Sequence, residues 1–323
     1  MTVLPGTLGG TWLSPDTGFR FGLTAGAIDT LSSADAAAQL GAHHVRMEFE
    51  IGAPATDLDA AIGKYASKGI QVLPLAGFHG RMPSADEAHN LASWARRFGP
   101  GGTFWQGRSD GRYAITDIEF GNESSYSYQG TQGRGAEYAQ RFRDAYDAIH
   151  GSDGNASVGL LAQADDGNSG SSAWVDSMFN AVPDLAKRVS GWTIHPYGPQ
   201  SRWQARMDRL ISQVGARGAP SSIPMVITEW GLATDDGRCL DDNYGWNTCM
   251  TYSAAADAIS STLSGMKARY GSRLRALYLY QSTDRSPPGA TNGRESYFGA
   301  LKRDQSDKGA YTTTVKRELA SAS

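Results

Sequence analysis

Pro224-Met225-Val226-Ile227-Thr228-Glu229-Trp230-Gly231 is a short, apolar, β-rich run that closes on a carboxylate, an aromatic residue and a glycine. Ile118-Glu119-Phe120-Gly121-Asn122-Glu123 closes another run in the same manner. Side chains alternate between the two faces of a strand, and a carboxylate is costly to place beside an apolar interior without a compensating role. Working outward from these two runs, strand patterns recur at 19–24, 44–49, 70–75, 114–120, 157–162, 191–195, 224–228 and 274–280. A helical pattern follows each of them. These lie at 34–40 behind a Ser32 or Ser33 cap, at 57–67, after Pro83-Ser84, and at 136–149, 172–182, 203–214, 252–270 and 311–319. Regular strand-then-helix alternation argues for a parallel sheet with crossover helices, and eight such units are the number that closes a barrel. The rival, an open doubly wound sheet, usually carries a glycine-rich turn after its first strand, and Leu23-Thr24-Ala25-Gly26-Ala27 is not that turn. The expected fold is therefore a single (β/α)₈ TIM barrel occupying residues 1–323 as one catalytic domain. The long loops at 78–83, 99–112, 121–135, 162–172 and 232–250 mostly follow strands, so they gather on the barrel's C-terminal face, where barrel enzymes keep their sites.

Bulk properties narrow the function. The chain has 323 residues, 40% hydrophobic and 20% charged, with a formal net charge of -3. That balance offers no electrostatic footprint for nucleic acid or an anionic membrane, and no apolar run approaches the roughly 20 residues needed to span a bilayer. No signal peptide is read at the N-terminus. Cys239 and Cys249 are the only cysteines and lie in a polar segment, so a local disulfide and an oxidising compartment are expected, two free thiols being the alternative. No cofactor or metal is expected. Asp235, Asp236, Asp241 and Asp242 could be imagined around calcium but lack an EF-type spacing.

The fourth and seventh strands lie across the barrel mouth from each other. Two carboxylates meeting over a cleft are what glycosidic cleavage needs, one protonated to assist the leaving oxygen and one ionised to attack the anomeric carbon. Here the sequence resembles clan A of the glycoside hydrolases, which carry Asn-Glu at the end of strand four and Glu at the end of strand seven. Gly121-Asn122-Glu123 and Thr228-Glu229-Trp230-Gly231 match both positions. Arg46 on strand two, His195-Pro196-Tyr197 after strand six and Phe298-Gly299-Ala300-Leu301 before the last helix fit the same pattern. Two departures are Ser124 where the clan has Pro, and Tyr280-Gln281 where strand eight often ends in Trp.

The resemblance implies a retaining hydrolase with Glu123 as acid/base and Glu229 as nucleophile. Asn122 would donate to a sugar 2-hydroxyl, and Arg46 and Tyr197 would stabilise the Glu229 anion. Glu123, with no cation beside it in sequence, is expected to stay protonated. Arg46 paired with Glu48 or Glu50, and His195 as a core histidine, are the alternative structural roles. Glu119 is expected to pack or pair inside the barrel, and Asp165 to form a turn. Tyr126, Tyr128, Trp230, Tyr244, Trp246 and Tyr280 fall on loops or strand ends where they could stack on sugar rings, with Phe78, Trp105 and Trp203 as further candidates. So many aromatics suit an endo-acting enzyme on a β-linked polysaccharide or oligosaccharide. An exo-acting relative or a non-catalytic carbohydrate-binding barrel is the alternative. A secreted bacterial enzyme, monomeric, is the expected setting, since Arg exceeds Lys and Ala and Gly are abundant.

Overall fold

The structure is a computed structural model that describes residues 18–26, 30–165, 171–238, 249–286 and 293–322. Its strands are β1 (Arg20–Thr24), β2 (His44–Glu50), β3 (Gln71–Gly77), β4 (Asp117–Phe120), β5 (Gly159–Gln163), β6 (Gly191–Ile194), β7 (Met225–Trp230) and β8 (Leu274–Leu279). Its helices are α1 (Thr30–Leu40), α2 (Asp59–Ser67), α3 (Ala85–Phe98), α4 (Gly135–Ile149), α5 (Ala173–Ala181), α6 (Gln200–Ala216), α7 (Tyr252–Tyr270) and α8 (Ala310–Ser321). The strands pair in sequence order, all parallel, and β1 pairs with β8 to close the ring. This is the (β/α)₈ barrel that the alternation of patterns predicts.

Two layers of apolar side chains hold it together. Leu73, Leu161, Val226, Ala276 and Tyr278, from β3, β5, β7 and β8, cluster together inside the barrel. Ile118, Phe120, Leu160, Ile227, Leu277 and Leu279 face outward and join the larger core under the helices. Burial of this outer layer, at about 25 cal/mol per Å² of apolar surface, favours closure of the ring. The start of α3 is fixed by a capping box: Ser84 accepts from the Glu87 N–H, and the Glu87 carboxylate accepts from the Ser84 N–H. Removing such a cap costs about 0.5–2 kcal/mol.

Boundaries depart from the sequence pattern where tertiary contacts take over. The fourth strand begins at Asp117, not at 114, because the approach to it bonds elsewhere: the Ile115 N–H donates to Phe98 O at 2.9 Å and Gln71 Nε2 to Ala114 O at 2.6 Å. Helix α1 begins at Thr30, so Ser33 lies inside it rather than capping it. The Ser33 hydroxyl instead accepts from the Gly26 N–H at 2.8 Å and from the Tyr65 hydroxyl at 3.1 Å. Cys239, Asp241, Asp242, Tyr244 and Trp246 lie outside the described residues, and with them one half of the expected Cys239–Cys249 bridge.

Candidate active site

Strand ends and the turns after them place the polar residues of the mouth. Gly121 has φ +78°, and a side chain there would meet Ser124 Oγ at 2.5 Å and the Phe78 ring at 2.7 Å. Only glycine fits, and the sharp turn it permits throws Asn122 and Glu123 over the barrel opening. Glu123 itself sits at φ +46°. A non-glycine residue persists in that region only when its surroundings hold it there. They do so here: Gln163 at the end of β5 accepts from the Ser124 N–H at 2.6 Å, and Thr131 donates to Ser124 O at 2.6 Å.

Opposite, the ladder between β7 and β8 shifts register between Ile227 and Trp230. A bulge of this kind breaks the strict alternation of faces. Thr228 and Glu229 consequently both serve the mouth. Trp230 is turned outward, 1% exposed and packed in the core under the helices. The expectation that Trp230 stacks on a sugar is thus not met, and the bulge is the reason.

Arg46 organises the acids. Its Nε and Nη2 donate to the two oxygens of Glu119 at 2.5 and 3.2 Å, its Nη1 to Glu229 Oε1 at 2.5 Å, and its Nη2 to Asn122 Oδ1 at 2.6 Å. It does not pair with Glu48 or Glu50, and Glu119 pairs inside the barrel as its place in the strand suggests. The neighbouring carboxylates hold the Arg46 guanidinium protonated, well above its ordinary value, against the opposing effect of burial. Asn122, its carbonyl oxygen committed to Arg46, keeps its amide N–H₂ for another acceptor. The second oxygen of Glu229 accepts from the Tyr197 hydroxyl at 3.1 Å.

Glu123 is not the isolated carboxyl that its sequence neighbours suggest. His195 Nδ1 lies 2.9 Å from Glu123 Oε1, and His195 Nε2 lies 3.0 Å from Thr228 Oγ1. Both ring nitrogens therefore face oxygen, the arrangement that suits an imidazolium. Burial pushes the Glu123 carboxyl up, but His195, the Tyr128 hydroxyl and Arg46 together hold it below the usual carboxylate range. Burial pulls His195 down, and the charges of Glu229 and Glu123 outweigh it, leaving the ring above its ordinary 6.5. This corrects the expectation for Glu123: in the resting site the proton is held mainly on His195. The Tyr128 hydroxyl donates to the other oxygen of Glu123, although Tyr128 is 66% exposed.

Glu123, His195 and Glu229 each present one atom within 4.8 Å of the others, a spacing a divalent cation could also use. His195, bonded at both nitrogens to protein oxygens, is arranged for proton handling instead.

Behind Glu123 stands a second buried network that the sequence does not announce. Asp165 forms an ion pair with Arg206 of α6 and accepts from the Tyr126 hydroxyl at 3.2 Å, so it is not a turn former. Tyr126 also accepts from Arg206, which spends the hydroxyl on the scaffold. Ser125 donates to Asp165 O at 2.5 Å, locking the loop after Glu123 against β5. Among the other aromatic candidates, Phe78, Trp105 and Trp203 are buried and structural. Tyr197 and Tyr280 flank Phe298, with ring centroids 6.1 and 5.4 Å from it. Gln163 and Arg206 were missed as supporting residues. Gln163 shares with Glu229 a place at a strand end, while nothing in the sequence marks Arg206.

No family model matches the chain, and no curated protein does. Solved structures do. A family 39 glycoside hydrolase from Bacteroides cellulosilyticus superposes with TM-score 0.62 at 15% identity over 94% of this chain and 63% of its own, so the chain spans less than two thirds of that protein. A family 51 α-L-arabinofuranosidase from Bifidobacterium longum gives 0.59 at 11% identity, over 95% of this chain and 73% of its own. A broad-specificity endoglucanase of family 5 from Clostridium longisporum gives 0.58 at 14%, over 92% and 87%. The resemblance to clan A glycoside hydrolases thus holds at the level of the fold.

Proposed function

We propose that this protein is a retaining glycoside hydrolase with Glu229 as nucleophile and Glu123, working with His195, as acid/base. The observation that carries the reading is the pair of carboxylates brought within 4.8 Å oxygen to oxygen over one cleft, each 15% exposed. Retaining enzymes hold their carboxyls roughly 5–5.5 Å apart, whereas inverting ones leave about 6.5–9.5 Å for a water. Glu229 attacks the anomeric carbon through one oxygen. The glycosidic C–O bond breaks as the leaving oxygen takes the proton shared by Glu123 and His195. Water then attacks the glycosyl-enzyme, returns a proton to the pair and frees the Glu229 carboxylate. Arg46 and Tyr197 hold the two oxygens of Glu229 and aim them throughout, and Asn122 is placed for a sugar 2-hydroxyl. The substrate class that fits is a β-linked, or equivalent 1,2-trans, polysaccharide or oligosaccharide. The barrel of a broad-specificity endoglucanase superposing over 92% of the chain supports an endo-acting mode. The similar barrel of an arabinofuranosidase favours keeping an exo-acting enzyme as the second reading. We place the enzyme, monomeric, outside a bacterial cell, with Cys239 bridged to Cys249; two titratable thiols in the native protein would overturn the bridge.

The direct test compares two variants on a panel of aryl glycosides and glycans. Glu229→Gln abolishes turnover on every substrate, a drop of at least about 10⁴-fold. Glu123→Ala spares substrates with good leaving groups, because these need less protonation. Equal loss on good and poor leaving groups would overturn the assignment of roles, and an inverted anomer as first product by NMR would overturn retention. Release of monosaccharides alone from chain ends would overturn the endo-acting part.

A further inference from the structure

Tyr280 directly follows β8, beside the strand that carries Glu229, its N–H donating to Trp230 O at 2.9 Å. Its ring stands edge-on to Phe298, and Phe298 stands edge-on to Tyr197, whose hydroxyl is on Glu229. The three rings form one wall that ends at the proposed nucleophile, near enough that the Glu229 charge is felt at the Tyr280 hydroxyl. On the outer side of this wall the exposed Arg285 donates through Nη2 to the Tyr280 oxygen, its guanidinium 5.7 Å from the ring centre. Arg303 donates to the backbone oxygen of Arg285 and brings a second guanidinium to the same rim.

Two features characterise this rim. Several exposed or half-exposed arginines elsewhere sit on acids: Arg81 on Glu87, Arg97 on Asp59, Arg134 on Glu137. Among the described residues Arg285 makes no ion pair, not even with Glu295, whose charge also reaches Tyr280. The second feature is the Tyr280 hydroxyl. Having accepted from Arg285, it still holds its own proton, and no acceptor among the described residues takes it. The wall therefore presents a phenol O–H and a planar guanidinium fork, donors without an acceptor, next to the reacting carboxylate. A guanidinium fork matches a carboxylate or sulfate in two parallel hydrogen bonds, each stronger for being charge-assisted.

We infer that Tyr280 and Arg285 bind an anionic substituent, a carboxylate or a sulfate, on the sugar held beside Glu229, and so give the site a preference for acidic glycosides. This rests on the glycosidase reading and narrows its substrate class. A net charge of -3 suits it: the chain is not built to hold a polyanion along its length, but one guanidinium can select one acidic sugar.

The test reads affinity rather than turnover. Methyl β-D-glucuronide, methyl β-D-glucoside, methyl β-D-galactoside and its 6-sulfate are titrated at low salt into the wild-type chain, Arg285→Gln and Arg285→Lys. The wild type binds at least one acidic ligand about tenfold or more tightly than its neutral counterpart. Arg285→Gln removes most of that ratio and Arg285→Lys restores part of it. The uronide and sulfate arms tell which anion is preferred. Equal affinity for acidic and neutral ligands in the wild type, or a ratio untouched by Arg285→Gln, overturns the inference. Hydrolysis that survives Glu229→Gln would overturn the glycosidase reading instead, so the two failures are separable.

Discussion

Two of the cations buried in this barrel, Arg46 and Lys308, are used in opposite ways. Arg46, 5% exposed, stands at the end of the cleft among Glu119, Glu229 and Asn122, with the Glu123–His195 pair close by. Lys308, 0% exposed, lies just before α8 and is satisfied by one acid and two carbonyls: Asp284 at 2.7 Å, Thr234 O at 2.9 Å and Tyr297 O at 3.1 Å. Asp284 in turn accepts from the Gly299 N–H at 2.8 Å. Around Arg46 two acids share one cation, and Glu229, 15% exposed, keeps a face open on the cleft. Around Lys308 charge is balanced one to one and every donor is spent. Removing one partner from a buried pair strands the other charge. The closed pair therefore ties the segment bearing Phe298 to the loop after β7, whereas the open cluster keeps carboxylates reactive.

The contrast breaks most sharply under matched substitutions to Met. Arg46→Met takes the guanidinium from Glu229 and leaves Glu119, 1% exposed, without its counter-ion. Activity falls by about a thousandfold or more, and stability falls by about 3–5 kcal/mol. Lys308→Met costs a similar stability, but its remaining activity at low temperature stays far higher than that of Arg46→Met, because no reacting group has lost a contact. Chemical denaturation and initial rates at 10 °C check both. Comparable loss of activity in the two variants would erase the distinction.

Proton linkage sharpens the same comparison. Burial raises the Asp284 carboxyl from 3.8 to about 6, although Lys308 opposes it. A carboxyl raised on folding binds its proton more tightly in the native state, so its contribution to stability declines as pH rises through that window. Without Lys308 the opposing charge is gone and the decline steepens and extends upward. Lys308→Met is therefore closer to wild type in melting temperature at pH 5 than at pH 7.5. An equal deficit at both would mean that Asp284 is not the stranded partner.

How much of this is visible in the sequence depends on distance along the chain. The eight units, and the carboxylates at the ends of β4 and β7, follow from local alternation and from turns that Gly121 alone permits. The contacts of Arg46 and Tyr197 to Glu229 were expected once both strands were placed at one mouth. The pairing of Glu123 with His195 spans 72 residues, and that of Asp165 with Arg206 spans 41. No local pattern encodes either, and the first reverses the protonation expected of Glu123. Trp230 failed for a different reason: a one-residue register shift flips a side chain to the other face, and the sequence of β7 carries no mark of it.

The Glu123–His195 pair gives the next effect in size. With His195 above its ordinary 6.5, the pair keeps its proton into the neutral range. By the same sign, any stability this ring contributes is complete below about 6.5 and is lost as pH rises through the higher native value. His195→Asn removes the cation, so the only proton left is on Glu123 itself, a carboxyl that burial alone pushes upward. The basic limb of kcat/KM then moves to lower pH, by about one unit or more, while the acidic limb stays near its place. A basic limb unmoved by the substitution would mean that Glu123 alone carries the titrating proton.

The smallest effect belongs to Tyr128. Its hydroxyl donates to the Glu123 oxygen that His195 leaves free, which favours the carboxylate form. The contact is made from an exposed ring on the loop after β4, so water competes for both partners and the net worth of the bond is small. Tyr128→Phe removes the donor and keeps the ring. Glu123 then holds its proton slightly more firmly, and the basic limb of kcat/KM shifts upward by about 0.3 unit or less, in the direction opposite to His195→Asn. The two shifts together test whether both groups act on the same carboxyl. In the double variant, with His195 gone, the phenol is the last donor beside Glu123 and its removal shifts the limb further than it does in the wild type. A non-zero shift that is the same in both backgrounds would show that Tyr128 and His195 act independently, and no shift in either would show that the Tyr128 bond to Glu123 does not persist in solution.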